Sequence, residues 1–197
     1  MMKRVTLLAA LAAIAPLYGA KGGDDTNALL DHLSRSSKAF LAEVSGLTEA
    51  QWNFKSSPDR WSIAECAEHI ALSEDFLRDT VEKKILTAPP GNQSPEDRRQ
   101  LDAKVVRMVT DRSSKFKAPE PVAPTSTLAP KAALAHFKQS RKKTANLARR
   151  PGLRDHSGPH PAFKEIDAHQ WLLFLSGHTD RHTAQILEVK ADPRFPK

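Results

Sequence analysis

The stretch that decides the fold lies near the carboxyl end of the chain, where residues 167–190 read DAHQWLLFLSGHTDRHTAQILEVK. Asp167 can cap a helix, and Gln170 three residues later completes the pattern of a capping box. Side chains at steps of three and four residues then share one helix face. That face carries Trp171, Phe174, Leu175, His178, His182, Ile186 and Val189. The stretch therefore predicts a long amphipathic helix whose apolar stripe contains two histidines.

His178 and His182 are four residues apart, so their side chains stack on the same helix face. A buried polar group without a partner costs roughly 1–3 kcal/mol, so each imidazole in a core needs one. One divalent cation satisfies both rings, and zinc-binding helices use this spacing. The alternative is a pair of hydrogen-bonded core histidines, and the spacing alone leaves both interpretations open.

A second strong helix start stands at residues 60–65, which read RWSIAE. Ser62 can cap the helix while Glu65 returns a hydrogen bond to the Ser62 amide. The predicted helix runs to about residue 86 and carries His69 one turn after Glu65. Since facing helices of a bundle can direct ligands to one centre, His69 is the third candidate ligand. Three histidines leave a fourth position for water or substrate, as in catalytic zinc sites.

The remaining chain predicts two further long helices and one long connection. One helix spans about residues 26–45 and ends at Gly46, and another spans about residues 130–149. The connection, residues 87–130, is rich in proline and contains an extra helix from about residue 94 to 112. No stretch alternates apolar and polar residues for long enough to predict a strand. We therefore expect an all-α four-helix bundle with a long crossover between helices 2 and 3.

The first 20 residues have the layout of a secretory signal peptide. Lys3 and Arg4 form a basic start, residues 5–15 are almost entirely apolar, and small residues lead to Ala20. The apolar run is too short to span a bilayer, which takes about 20 residues. We therefore expect residues 21–197 to form one folded domain, periplasmic or secreted, without stable membrane insertion after signal cleavage.

The composition narrows the classes of partner. A single cysteine, Cys66, in a chain of 197 residues excludes an internal disulfide and any Cys-rich zinc site. The net charge of +7 is concentrated in residues 131–154, which hold eight basic residues and no acidic one. Because an apolar stripe runs through that segment, we interpret it as a bundle helix with a basic outer face and expect no nucleic-acid partner. We expect a small-molecule substrate, and a homodimer is the default expectation for the oligomeric state.

Several blocks of the sequence carry a family resemblance. They are residues 59–70 (DRWSIAECAEHI), 160–163 (HPAF), 171–175 (WLLFL) and 178–186 (HTDRHTAQI). Together they resemble the DinB-like superfamily of metal-binding four-helix bundles, also described as YfiT-like metal-dependent hydrolases. The resemblance covers about residues 26–190, which is nearly all of the predicted domain.

The resemblance implies a divalent metal, zinc or nickel, held by His69, His178 and His182. It implies a metal-dependent hydrolase or a thiol-dependent transferase, because relatives include enzymes that use bacillithiol, glutathione or mycothiol. Those relatives work in the cytoplasm, so an export signal argues against such a cosubstrate. The alternative function is that of a non-catalytic, stress-related bundle that binds a metal or another ligand. The chain departs from the family at Lys164, because relatives often have glycine after the residue that corresponds to Phe163.

The chemistry of such a site suggests roles for its neighbours. A bound metal would lower the pKa of a water or thiol and create a nucleophile. Glu65 is the candidate catalytic carboxylate, either orienting His69 or acting as a base, and the alternative is that it only completes the capping box. Gln185, one turn after His182, is a candidate hydrogen-bond partner, whereas the neighbouring Arg181 and Asp180 are expected to be solvated.

The other five histidines are expected to lie outside the set of metal ligands. His156 and His160 lie in the loop before the last helix and are expected near the mouth of the site. The remaining three, His32, His136 and His169, are expected at the surface or at helix ends.

Overall fold

The computed structural model describes residues 22–197, and the predicted signal peptide at residues 1–20 lies outside the described part of the chain. The helices are α1 (Gly22–Glu43), α2 (Glu49–Asn53), α3 (Ile63–Thr80), α4 (Pro95–Thr110), α5 (Pro130–Leu147) and α6 (Ala168–Lys190). A π-helical turn (Val81–Ile85) extends α3, and a short 3-10 turn (Glu120–Val122) lies in the crossover. The long helices α1, α3, α5 and α6 pack together. The predicted all-α four-helix bundle with its long crossover is confirmed.

Three helices begin with a capping box, and for two of them, α3 and α6, the sequence predicted that start. Ser62 Oγ accepts a hydrogen bond from the Glu65 amide at 3.2 Å, and the Ser62 amide donates to Glu65 Oε2 at 2.7 Å. Asp167 and Gln170 form the same reciprocal pair at the start of α6. The third box is that of Thr48 at the start of α2. These local bonds satisfy amides that have no partner within the helix, so they fix the first residue of each helix.

The bundle interior contains two apolar clusters. The first includes Leu29, Leu33, Val81, Val105, Leu172 and Leu175, and the second includes Phe40, Ile63, Ile70, Phe137 and Ile186. Within the second cluster, the rings of Phe40 and Phe137 meet edge to face at 4.9 Å. Along α6, the two histidines of the apolar stripe lie between Leu175 of the first cluster and Ile186 of the second. Burial of both clusters therefore fixes the part of α6 that carries the histidines.

A buried ion pair crosses the interior and joins all four long helices. The guanidinium of Arg141 donates two hydrogen bonds to the carboxylate of Glu74, both at 2.8 Å. It also donates to the Leu33 carbonyl, to Ser36 Oγ and to Thr179 Oγ1 at 2.7–2.8 Å. All five N–H groups of the arginine therefore have acceptors, as a buried cation requires.

The structure contains a β-hairpin that the sequence analysis did not predict. Strands β1 (Ser157–His160) and β2 (Lys164–Asp167) pair antiparallel just before α6. Each strand has four residues, and β1 contains Pro159, so neither is long enough to show a period of two. Lys164 lies at the turn with a positive φ of +63°, a conformation that favours glycine. Because glycine adopts a positive φ without steric strain, a glycine would suit this position.

The predicted extra helix is α4, and it covers one side of α6. A methyl group added at Gly177 would lie 2.3 Å from Cγ1 of Val109, so the two helices meet at a very close contact. The expectation that Arg181 is solvated was wrong, because its guanidinium is buried and donates to the Val109 carbonyl in the last turn of α4 and to the Ser114 carbonyl beyond it. Asp180 is half-buried, and burial raises its pKa.

None of the helices within residues 22–197 combines the length and the apolar composition that crossing a membrane would require.

Candidate metal centre

Three imidazole rings from two helices meet inside the bundle. His69 comes from α3, and His178 and His182 come from α6. Nε2 of His69 lies 3.2 Å from Nε2 of His178, and one ring nitrogen from each residue lies within 4.8 Å of the others. His69 and His182 are buried, with 3% and 7% of their surface exposed, and His178 is half-buried. The structure therefore brings together the three residues that the sequence singled out.

Two of the rings are oriented by hydrogen bonds from the nitrogen that faces away from the centre. Nδ1 of His69 lies 2.6 Å from the carbonyl oxygen of Val122, and since a carbonyl only accepts, Nδ1 must carry the proton. Nδ1 of His182 lies 2.9 Å from Oε1 of Gln185 and donates in the same way. Each Nε2 is then left with a lone pair, which is the form that ligates a metal. The contact of Gln185 agrees with its predicted role.

Burial keeps the three rings uncharged. Chiefly because the rings are removed from water, the pKa values of His69 and His178 lie below the usual 6.5 and that of His182 is about 3. Neighbouring rings and the Arg181 guanidinium contribute to the lowered pKa values of His178 and His182. All three imidazoles are thus neutral near pH 7 and available as ligands.

The spacing of one pair of nitrogen atoms fits a shared metal ion. Two imidazole nitrogens bound to the same tetrahedral zinc at about 2.1 Å lie about 3.4 Å apart. The separation of 3.2 Å between the Nε2 atoms of His69 and His178 is close to that value. A group of only imidazole nitrogens also suits zinc and nickel better than calcium or magnesium, which prefer oxygen.

Two aromatic side chains flank the imidazoles. The indole of Trp61 lies 4.8 Å from the ring of His69 and stacks on His182 at 5.8 Å. Phe174, one turn before His178, stacks on that ring at 6.2 Å. Both aromatic residues are half-buried. In the sequence, Trp61 precedes the cap residue Ser62 and Phe174 belongs to the apolar stripe of α6, so neither was predicted to lie at the site.

Glu65, the candidate catalytic carboxylate, has both oxygens engaged. Oε2 accepts from the Ser62 amide, and Oε1 accepts from Lys55 Nζ at 2.8 Å. Burial opposes its ionisation, but the hydrogen bonds from Lys55 and Ser62 outweigh burial and lower the pKa of Glu65. Nδ1 of His69 is bound by the Val122 carbonyl instead of this carboxylate. A role of Glu65 as a base stays a prediction.

Cys66, the residue after Glu65, is inert in this environment. It is fully buried, and burial raises its pKa to about 12. The thiol therefore stays protonated near neutral pH and acts as a small apolar side chain.

The loop histidines are not ligands in this arrangement. His160 packs among Phe163, Trp171 and Phe174, with ring centroids 4.6–4.9 Å away, so Phe174 lies between it and His178. Burial lowers the pKa of His160 to about 4. His156 donates from Nδ1 to the carbonyl of Ala88 at 2.6 Å.

The three histidines assigned to surfaces and helix ends lie outside the site. His32 is half-buried and contacts Arg35, and His136 contacts Asp75. His169 lies at the start of α6, which agrees with the expected helix-end position, and its side chain is buried.

The fold and the site together define a four-helix bundle with a three-histidine candidate metal centre. The family model of the DinB superfamily matches residues 32–186, so the chain belongs to that superfamily. A curated relative, the uncharacterised protein YuaE of Bacillus subtilis (strain 168), is 25% identical over 154 residues, which cover 75% of this chain and 88% of YuaE.

A solved structure shares the architecture. It is that of YfiT from Bacillus subtilis, described as a probable metal-dependent hydrolase with an unusual four-helix bundle topology. The TM-score is 0.55 at 14% sequence identity, and the match covers 89% of this chain and 91% of YfiT. At this identity the likeness shows a common fold.

Proposed function

We propose that this protein is a metal-dependent hydrolase whose divalent cation is held by His69, His178 and His182. The observation that carries the proposal is the meeting of three neutral imidazoles, two of which have Nδ1 bound to an acceptor and Nε2 left free. Membership of the DinB superfamily and the description of YfiT support it. Zinc or nickel is the proposed ion, because imidazole suits both.

The residues around the centre position and shield it. The Val122 carbonyl and Gln185 Oε1 hold the rings of His69 and His182 in one orientation. Trp61 and Phe174 cover two sides of the imidazoles and limit the access of water. When bound, the cation would supply an open coordination position and lower the pKa of a water there to near neutrality.

The first experiment tests the site by metal content. The purified protein is expected to carry about one zinc or nickel per chain, measured by elemental analysis. His178→Ala removes one of three ligands and should abolish stoichiometric metal. His32→Ala, which removes a histidine outside the site, should leave the metal content unchanged. Full metal retained by the His178 variant would refute the assignment.

The second experiment tests the reaction. The metal-loaded protein is assayed against panels of small esters, amides and thiol-conjugation substrates, with the His178→Ala variant as control. Hydrolysis that depends on the metal supports the proposal. Thiol conjugation alone would replace it with a thiol-dependent transferase, and full metal without turnover would favour the non-catalytic binding bundle. Export and dimerisation stay predictions.

A further inference from the structure

A buried carboxylate next to His69 holds part of the crossover in place. Glu68 is only 2% exposed, and its contacts are made to residues 125–127. The Ser126 amide donates to Oε2 at 2.9 Å, and the Thr125 hydroxyl donates to Oε1 at 3.1 Å. The hydroxyl of Thr127 lies at 3.5 Å from the same Oε1. One carboxylate thus fixes three consecutive residues of the crossover.

The same part of the crossover supplies the oxygen that orients His69. The 3-10 turn Glu120–Val122 packs on α3, Val122 is buried, and its carbonyl accepts from Nδ1 of His69. We call residues 119–127 the crossover segment. The segment therefore binds two consecutive residues of α3. Val122 accepts a hydrogen bond from His69, and residues 125–127, which begin three residues later, contact Glu68.

The conformation of the crossover segment depends on such contacts. Ser126 has a positive φ of +60°, which residues other than glycine adopt rarely and only where the surroundings hold them. The hydrogen bond from its amide to Glu68 is one such restraint. Loss of the carboxylate would leave Ser126 free to leave this conformation and would remove one restraint on the position of the Val122 carbonyl at Nδ1 of His69.

We propose that Glu68 is a positioning residue for the metal centre. By binding residues 125–127 it keeps the Val122 carbonyl on Nδ1 of His69, which holds the proton on Nδ1 and the lone pair of Nε2 toward the other two rings. The inference rests on the proposed function, because it assumes that these rings bind a metal. Partners of this kind typically change metal affinity 10–100-fold when they are removed.

The test compares two substitutions of the same residue. Glu68→Ala removes the carboxylate and should weaken zinc binding by about 10-fold or more, measured by competition with a chromophoric chelator. Glu68→Gln keeps an oxygen for the Ser126 amide and an amide group for the threonine hydroxyls, so it should retain most of the affinity. The double variant Thr125→Val, Thr127→Val removes the two hydroxyls that contact Glu68 and leaves α3 unchanged. It should weaken zinc binding by a smaller factor than Glu68→Ala.

A matched control separates positioning from general loss of stability. Asp102 on α4 is 1% exposed and accepts two hydrogen bonds from Arg154, away from the crossover segment. Asp102→Ala should destabilise the fold but leave zinc affinity unchanged. If Glu68→Ala does not fold, as judged by circular dichroism, the threonine double variant decides the proposal.

A second readout needs no metal. Nitrogen-15 NMR of the metal-free protein reports which ring nitrogen of His69 carries the proton. The parent protein should show the proton on Nδ1, and Glu68→Ala should show a mixture of the two tautomers. An unchanged tautomer together with unchanged zinc affinity would overturn the inference while leaving the proposed function intact. A parent protein that binds no metal would refute the proposed function, and the tautomer would still decide whether Glu68 positions His69.

Discussion

The buried pair of Glu74 and Arg141 gives a direct test of what holds the bundle together. The two side chains are 1% and 7% exposed, and they are joined by two hydrogen bonds. Glu74→Ala leaves the guanidinium buried without its counter-ion, a change that costs about 3–5 kcal/mol in comparable cases. Three acceptors of Arg141 remain, at Leu33, Ser36 and Thr179, so we expect the lower half of that range.

The expected loss of about 3–4 kcal/mol is large enough to measure by urea unfolding and by thermal unfolding, both followed by circular dichroism. For a chain of this size, 1 kcal/mol corresponds to about 2–4 °C in Tm, so Glu74→Ala should lower Tm by roughly 6–16 °C. Asp79→Ala breaks ion pairs with Lys83 and Arg78 in which Asp79 is 42% exposed, and it should cost less than about 1 kcal/mol.

A double variant shows whether the unpaired charge is the cause. Glu74→Leu with Arg141→Met removes both charges and keeps the volume apolar, so it should be less destabilising than Glu74→Ala alone. The reasoning is refuted if Glu74→Ala costs no more stability than Asp79→Ala. It is also refuted if the double variant loses more stability than Glu74→Leu and Arg141→Met added together.

Three further predictions concern packing, backbone and pH. Gly177→Ala places a methyl group 2.3 Å from Val109 and should cost about 1–3 kcal/mol in urea unfolding, and Val109→Ala in the same chain should recover part of that loss. Lys164→Gly relieves the strain of a positive φ and should raise the free energy of unfolding by up to about 1 kcal/mol. Lys143→Gly, inside α5, should lower the free energy of unfolding by about 1 kcal/mol. Equal effects of the two substitutions would show that the backbone conformation of Lys164 is not strained. Since burial lowers the pKa of His160 to about 4, the unfolded chain binds a proton below pH 6.5 that the folded ring does not take up. The metal-free protein should therefore lose stability as the pH falls from 6.5 to 4, and His160→Phe should lose less over that interval; parallel pH profiles for the two proteins would contradict this.

The helix starts could be predicted because the responsible bonds are local. The capping boxes at Ser62 and Asp167 join residues three apart, so residue type and spacing define them completely. The pair His178 and His182 followed from helical periodicity in the same way. The third histidine, His69, needed the assumption of facing helices or the family resemblance, because it is 109 residues from His178.

The parts that could not be predicted depend on contacts between distant segments. The oxygen that orients His69 belongs to the backbone of Val122, which lies 53 residues away, and every residue type offers the same carbonyl. Arg141 lies four residues after Phe137, on the same face of α5, but the rotation of α3 that places Glu74 opposite it is a property of the packed bundle. Arg181 was assigned to solvent because the sequence does not show that α4 covers that side of α6.

The separation of the candidate ligands along the chain has a consequence for the order of events during biosynthesis. His69 reaches His178 only after α3 and α6 have packed, and α6 is the last helix to be made. Before α3 and α6 pack together, His69 lies apart from His178 and His182, which share α6. The site with three nitrogen ligands therefore forms only when the bundle has folded. Affinity for divalent first-row ions rises from manganese to copper and falls again at zinc, so metal availability helps decide which ion a site of this kind acquires. The metal ion that this protein binds would therefore depend on which ions are available in the compartment where the chain completes its folding.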